Sequence, residues 1–472
     1  RYTGAAATAA AWRLAPWGEA GAAVRRGKKP NILVIMTDQQ YAGALSCAGN
    51  KHLKTPAVDS LAENGVRFAN AYCAQPVCVA SRTSMMLGCM PREAGVTFNY
   101  GHERRDSRGT WLARRMTAAG YDCGYTGKWH LPVKDTDVAE HGFEWTRHTD
   151  LGAAKRRSKD AQVPGACAEF LKARRDKPFF LVASFLNPHD ICQWARSGAN
   201  GRAGLPNGRI GMAPPPEECP PLPANFEIPA DEPSVIREHQ KRQPRNYPTA
   251  EWDQGTWRQY LWGYYRLAEK VDKEIARILA ALRENDQEKD TVVIFVSDHG
   301  EGVGGHHWNQ KIVLYEEAVR VPCIVSWKGV TRPGAVDEGS LVSTGLDLTQ
   351  TVLDFAGAGA AEELRGLSLK PAAVDGEPLK ARPFVVSETR LGGGGKLTDI
   401  TGRMLRGQRY KYVVYSEGKN REQLFDLKKD PGEMTNLVAN PNHADGLRDC
   451  RGNLMKWCRD TGDPFAAVAV GA

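Results

Sequence analysis

"PNILVIMTDQQ", residues 30–40, is an apolar run from Ile32 to Met36 that stops abruptly at Thr37, Asp38, Gln39 and Gln40. Opened by Pro30 and too short for a helix, it fits a strand over residues 31 to 36 that is buried on both faces, as in the interior of a parallel sheet. Further along, "KPFFLVASFLNPHD" (177–190) and "DTVVIFVSDHGEG" (290–302) repeat the pattern of a buried run followed by polar residues. Helix-like segments lie between such runs. "TPAVDSLAENG" places Thr55 as N-cap, Pro56 at the first helical position and Gly65 as stop. "TWLARRMTAAGYDCGYTGKWH" reads as a helix from Trp111, a stop at Gly120 and a short strand toward Lys128. "YLWGYYRLAEKVDKEIARILAALREN" (260–285) is a long amphipathic helix. The alternation predicts an α/β fold: a large, mostly parallel sheet flanked by helices.

Size and composition agree. With 472 residues, 42% hydrophobic and 25% charged, the chain can bury a large core. Residues 29–380 are expected to form the main domain. Residues 381–472, with "PFVVSETR", "MLRGQRYKYVVYSEG" and "QLFDLKKDPGE" as antiparallel strands and a helix over 442–459, form a smaller C-terminal α+β subdomain. Residues 1–28 read either as an Ala-rich remnant of an export signal, implying a periplasmic or secreted protein, or as a disordered extension; Arg25-Arg26 follow the Ala-rich part, which argues against a twin-arginine signal. The Pro-rich excursion over 197–256 is either a linker or a loop bordering a site. No run approaches the roughly 18 apolar residues of a membrane span. The net charge of +8 is spread out, which suits an anionic small group or glycan better than nucleic acid.

Four predicted strands end in chemically useful side chains: Asp38 and Gln39, Lys128 and His130, His189, and Asp298 and His299. Open α/β sheets bind ligands at the carboxyl ends of their strands, so these groups are expected to share one crevice. The oxygen donors of Asp38, Gln39 and Asp298 suit Ca²⁺ or Mg²⁺ better than zinc, while Lys128, His189 and Lys311 supply positive charge. A hard cation beside fixed positive side chains suits transfer of a sulfuryl or phosphoryl group. The nucleophile is sought in "AQPVCVASRTSMMLGCMPR" (74–92), where Cys78 precedes a helix-like segment. From residues alone, Cys78 is equally a buried thiol, half of a disulfide, a metal ligand or a reactive centre. The eleven cysteines contain no CxxC pair, which excludes a zinc ribbon or thioredoxin motif.

Cys78-Val79-Ala80-Ser81-Arg82 resembles the Cys-x-Pro/Ala-x-Arg motif of type I sulfatases of the alkaline phosphatase-like superfamily, and Gly88 fits its longer form, with Cys89 where an Arg is usual. The resemblance extends from Pro30 to about Leu437 through "PNILVIMTDQQ", "GYTGKWHLP", "FLNPHD", "SDHGEGVGGHHWNQKIVLYEEAVRVPCIV" and "QLFDLKKDPGEMTNL". It implies that a formylglycine-generating enzyme converts Cys78 to Cα-formylglycine, whose hydrate attacks sulfur and later expels sulfate. It also implies that Asp38, Gln39, Asp298 and His299, with oxidised Cys78, hold Ca²⁺, or Mg²⁺ in its place. Gln39 and His299 stand where many relatives carry Asp and Asn. Arg82 and Lys128 would steady the hydrate with His130 beside its hydroxyl, His189 and Lys311 would bind sulfate and protonate the leaving oxygen, and His306 would join the substrate contacts. The expected substrate is a sulfated carbohydrate or another sulfate ester. The alternatives are a phosphonate or phosphate monoester hydrolase of the same superfamily, or an inactive sulfated-glycan-binding homologue.

Overall fold

The computed structural model describes residues 28–102, 109–148, 160–197, 205–359, 361, 363–379, 382–393 and 396–469. Apart from residue 28, the expected N-terminal extension lies outside the described residues. Eight strands form the central sheet in the order Trp145–His148, Asp122–Gly127, Phe179–Pro188, Asn31–Asp38, Thr291–Ser297, Cys323–Ser326, Gly65–Phe68, Ala335–Asp337. The first five are mutually parallel. Cys323–Ser326 runs antiparallel to both of its neighbours, so the sheet is mixed, and mostly parallel as expected.

The strand Asn31–Asp38 lies at the centre, and its two faces feed two cores. Ile32, Val34 and Met36 pack on the side of the helices Cys78–Leu87, Leu112–Ala118 and Thr344–Phe355, whereas Leu33 and Ile35 pack on the side of Pro56–Glu63, Val163–Lys172 and the long helix Gln254–Glu284. A strand covered twice has no polar alternate positions, which is why its sequence is one unbroken apolar run.

Gly65 is not a helix stop. The helix Pro56–Glu63 is capped by Asn64, and Gly65 opens the next strand with a Cβ position only 2.3 Å from the Val325 carbonyl oxygen, a space that a side chain cannot share. Thr55 occupies the N-cap position, but its hydroxyl pairs with Ser46 and Asp59 rather than a helix amide.

A second sheet, Phe384–Gly393, Lys396–Gly407, Tyr410–Tyr415 and Glu422–Asp426, is a simple antiparallel meander backed by the helix Ala444–Asp460. Its first strand is joined to the main body: Glu388 N–H donates to the Ala74 carbonyl at 2.8 Å, and Ser387 Oγ to Cys73 O at 2.6 Å. The described part of the Pro-rich excursion is ordered around the helix Ser234–Arg242, with Phe226, Val235, Ile236 and Tyr247 buried. No helix among the described residues is long and apolar enough to cross a membrane.

Candidate active site

Four neighbouring parallel strands release their chains at the same edge of the sheet. Asp122–Gly127 delivers Lys128, Phe179–Pro188 delivers His189, Asn31–Asp38 ends in Asp38 and Gln39, and Thr291–Ser297 delivers Asp298 and His299. The helix Cys78–Leu87 points its N-terminus at this edge, with Cys78 as its first residue. A helix N-terminus favours negative charge, so the site is biased toward anions before any side chain is considered. The helix is terminated by Gly88, whose φ of +71° is the left-handed conformation that glycine adopts without a steric penalty.

Cys78 Sγ lies 3.0 Å from Lys311 Nζ, 3.2 Å from His299 Nε2 and 3.8 Å from Asp38 Oδ1. Ligand atoms from Asp38, Cys78, Asp298 and His299 all fall within 4.8 Å of one another, and all four residues are buried. His299 Nδ1 faces the Gly300 carbonyl at 2.9 Å. That contact takes the ring proton at Nδ1 and leaves the Nε2 lone pair aimed into the cluster, as metal ligation by imidazole requires. Gln39 Oε1 accepts from Lys311 Nζ at 2.8 Å. Two carboxylates, an imidazole, an amide oxygen and the position occupied by Sγ form a donor set that fits a hard divalent cation.

Arg82 locks the two carboxylates. Its Nε donates to Asp298 Oδ2 at 2.7 Å, Nη2 to Asp38 Oδ2 at 3.2 Å, and Nη1 to Ser184 Oγ at 2.7 Å and to the Lys128 carbonyl at 3.2 Å. Each guanidinium nitrogen thus has a protein partner, so Arg82 reaches residue 78 through Asp38 and Asp298. Lys128 Nζ also pairs with Asp38 Oδ2. Burial works against the charge on Asp38, but Lys128, Lys311 and Arg82 outweigh it and hold the carboxyl well below its usual range. Burial and Asp38 likewise push the Cys78 thiol up, and the Lys311 and Lys128 ammonium groups reverse this, leaving it well below an ordinary thiol. His189 is driven down by burial and by Lys311, so it is neutral beside a charged lysine. Its Nδ1 has no hydrogen-bond partner among the described residues.

His130 lies two residues beyond Lys128 with φ of +46°; it is half-buried, and its Nδ1 is likewise unpaired among the described residues. His306 does not join the cluster. Its ring is fully buried, stacked on Tyr315 with centroids 3.8 Å apart, and grouped with Glu317 and Glu433. The Lys411 ammonium lies 2.7 Å from Glu433 and 3.1 Å from Glu316, so this second acidic group already contains its own cation. The buried surroundings of His306 place it in the junction with the C-terminal sheet and leave it no face for a substrate.

Residues that sequence reasoning passed over complete the site. Ser184 supports Arg82, and Glu301 binds Gln39 Nε2 at 2.5 Å. A carboxylate three positions after Asp298 was a visible signal for Glu301; nothing in the sequence marked Ser184. The loop from Val303 to Ile312, which carries Lys311, has five non-glycine residues at positive φ: Val303, His306, His307, Gln310 and Ile312. Such strain persists only when neighbours impose it. Here they come from the excursion: Arg237 donates to His306 O at 2.5 Å, Asn225 O accepts from His306 N–H at 2.6 Å, and Thr249 Oγ1 donates to Asn309 Oδ1 at 2.6 Å.

Comparison with known proteins identifies the family. The sulfatase family model matches residues 30–358, and the model of the C-terminal region of N-sulphoglucosamine sulphohydrolase matches residues 304–459. The chain belongs to the sulfatase family and is a sulfuric ester hydrolase. It is 30% identical to a Delta 4,5-hexuronate-2-O-sulfatase from Bacteroides thetaiotaomicron, over 96% of this chain and 93% of the relative. Among solved structures it is similar to a sulfatase from the same organism, with a TM-score of 0.82 at 28% identity, covering 93% of this chain and 94% of that one. It is also similar to a 2-O glycosaminoglycan sulfatase, with a TM-score of 0.79, 28% identity and the same coverage.

Proposed function

We propose that this enzyme removes sulfate from a sulfated carbohydrate, using residue 78 in its oxidised form together with a divalent cation. The observation that carries the reading is the placement of Cys78 at a helix N-terminus among Asp38, His299 and Lys311. Sγ marks where the oxygens of a formylglycine hydrate would stand. Cα-formylglycine would supply the nucleophilic hydroxyl and Ca²⁺, or Mg²⁺, the charge beside it, held by Asp38, Gln39, Asp298, His299 and the oxidised side chain of residue 78.

The remaining residues create a pocket for an anion. Arg82, Lys128 and Lys311 set three fixed positive charges against the two carboxylates of Asp38 and Asp298. Lys311 and His189 meet the sulfate oxygens, and one of them passes a proton to the alcohol oxygen as it leaves. His130, two residues beyond Lys128, would lie beside the hydroxyl of oxidised residue 78. The names of the relatives, a hexuronate sulfatase and a glycosaminoglycan sulfatase, support a sulfated uronic-acid-containing glycan as substrate.

Mass spectrometry of the peptide carrying residue 78, from protein produced with a formylglycine-generating enzyme, should show the aldehyde. Sulfate release from a panel of sulfated glycans should follow the aldehyde fraction and stop with a chelator. A thiol throughout in fully active protein would sink the proposal. Faster turnover of phosphonate or phosphate monoesters than of any sulfate ester would replace it with the phosphonate hydrolase reading, and glycan binding without turnover by oxidised protein would replace it with the binding-protein reading.

A further inference from the structure

Glu301 is fully buried and is not one of the groups whose ligand atoms converge around Cys78. All the contacts of its carboxylate are with donors. Oε1 accepts from Tyr260 Oη at 2.7 Å and from the Gln310 N–H at 2.5 Å, and Oε2 accepts from Gln39 Nε2 at 2.5 Å. On the other side of the same amide, Gln39 Oε1 accepts from Lys311 Nζ at 2.8 Å. The ammonium can only donate and the carboxylate accepts, so the two flanking groups fix which end of the amide is oxygen. Gln39 itself sits at φ +69°, and its own N–H is tied to Asp298 Oδ1 at 3.1 Å, so the backbone cannot turn to compensate.

We infer that Glu301 is a positioning residue that holds the Gln39 carbonyl oxygen toward the cation site, with Tyr260 and the Gln310 amide fixing Glu301 in turn. An amide ligates a hard cation through oxygen alone, so a flipped Gln39 would present an NH₂ group and lose one ligand. A carboxylate at position 39 would need no such device, because both of its ends are oxygen; Glu301 serves an amide, whose two ends differ. The inference rests on the cation site proposed above.

Glu301→Gln tests it with almost no change of shape. The new amide can satisfy either Gln39 Nε2 or the Gln310 N–H with its single oxygen, so one pair of donors is left facing each other. Ca²⁺ affinity, measured by calorimetric titration of chelator-stripped protein, should fall about 10- to 100-fold, as for other groups that orient metal ligands. Exchanging the partners, Gln39→Glu together with Glu301→Gln, restores one acceptor opposite one donor and should recover most of the lost affinity. Tyr260→Phe, which removes a single donor and carries little risk to folding, should weaken Ca²⁺ severalfold. Unchanged affinity in Glu301→Gln that melts like the wild type, or a double variant no better than the single one, would overturn the inference. If Glu301→Gln does not fold, an unaltered Ca²⁺ affinity in Tyr260→Phe overturns it instead. Failure of the wild type to bind any divalent cation is a separate result, and it removes the cation site itself.

Discussion

Arg82 shows how much one side chain can organise. Its planar fork joins Asp38, Asp298, Ser184 and the Lys128 carbonyl, four groups carried by four neighbouring strands and the turns that follow them. A lysine would keep the charge but reach only part of this set. Arg82→Lys should therefore leave buried acceptors unpaired, lower thermal stability by about 3 kcal/mol and reduce kcat/KM by at least about 100-fold; melting curves and kinetics on a sulfated substrate check both numbers. At this scale the sequence was legible where chemistry-bearing residues follow apolar runs, as with Asp38, Lys128, His189 and Asp298. It was silent on Ser184, which looks like any strand serine until Arg82 folds against it. His306 was misleading for the converse reason, since a histidine in a glycine-rich loop gives no sign in one dimension that a tyrosine ring will cover it.

At the level of elements, the site depends on the sheet register. Gly127 closes its strand at φ +93°, and a Cβ there would lie 1.8 Å from the Ser184 carbonyl oxygen, which also accepts the Lys128 N–H at 2.9 Å. Gly127→Ala should push the two strands apart, destabilise the protein by on the order of 2–4 kcal/mol and displace Lys128 and Ser184 together. The expected readout is a lower melting temperature with a loss of kcat larger than the loss of stability explains. A variant with wild-type melting and turnover would show that the neighbouring strand gives way freely. The alternation of apolar and helical segments made the parallel part of the sheet readable. The antiparallel strand Cys323–Ser326 was not, because three apolar residues and a serine carry no direction; only their pairing with Thr291–Ser297 and Gly65–Phe68 sets it.

Across the whole molecule, the C-terminal sheet is part of the active-site frame. Its first strand bonds to Cys73 and Ala74, a few residues before Cys78, and Thr389 Oγ1 donates to Ile312 O, next to Lys311. Glu388 is buried at this seam with its carboxyl pushed up to about 7, chiefly by burial, while Arg403 pulls the other way. A raised carboxyl holds its proton in the folded state after the unfolded chain has released it, so stability falls as pH rises from roughly 4.5 through 7. Glu388→Gln should flatten that fall by on the order of 2–3 kcal/mol; urea midpoints of chelated protein at pH 5 and pH 8 measure it, and parallel wild-type and variant profiles would rule it out. The meander and its helix could be anticipated from local pattern. Their attachment on both sides of the site could not, since Cys73 and Ser387 lie far apart in sequence.

The contorted stretch from Val303 to Ile312 has a consequence for anyone who would redesign this enzyme. Residues 225 to 249 press on it from outside, and Lys311 rides at its end. Exchanging that outer region between relatives, in the hope of transplanting a preference for one sugar, would release the very turn that aims the lysine. Such chimaeras should lose turnover before they change taste, unless Asn225, Arg237 and Thr249 travel with the turn they restrain.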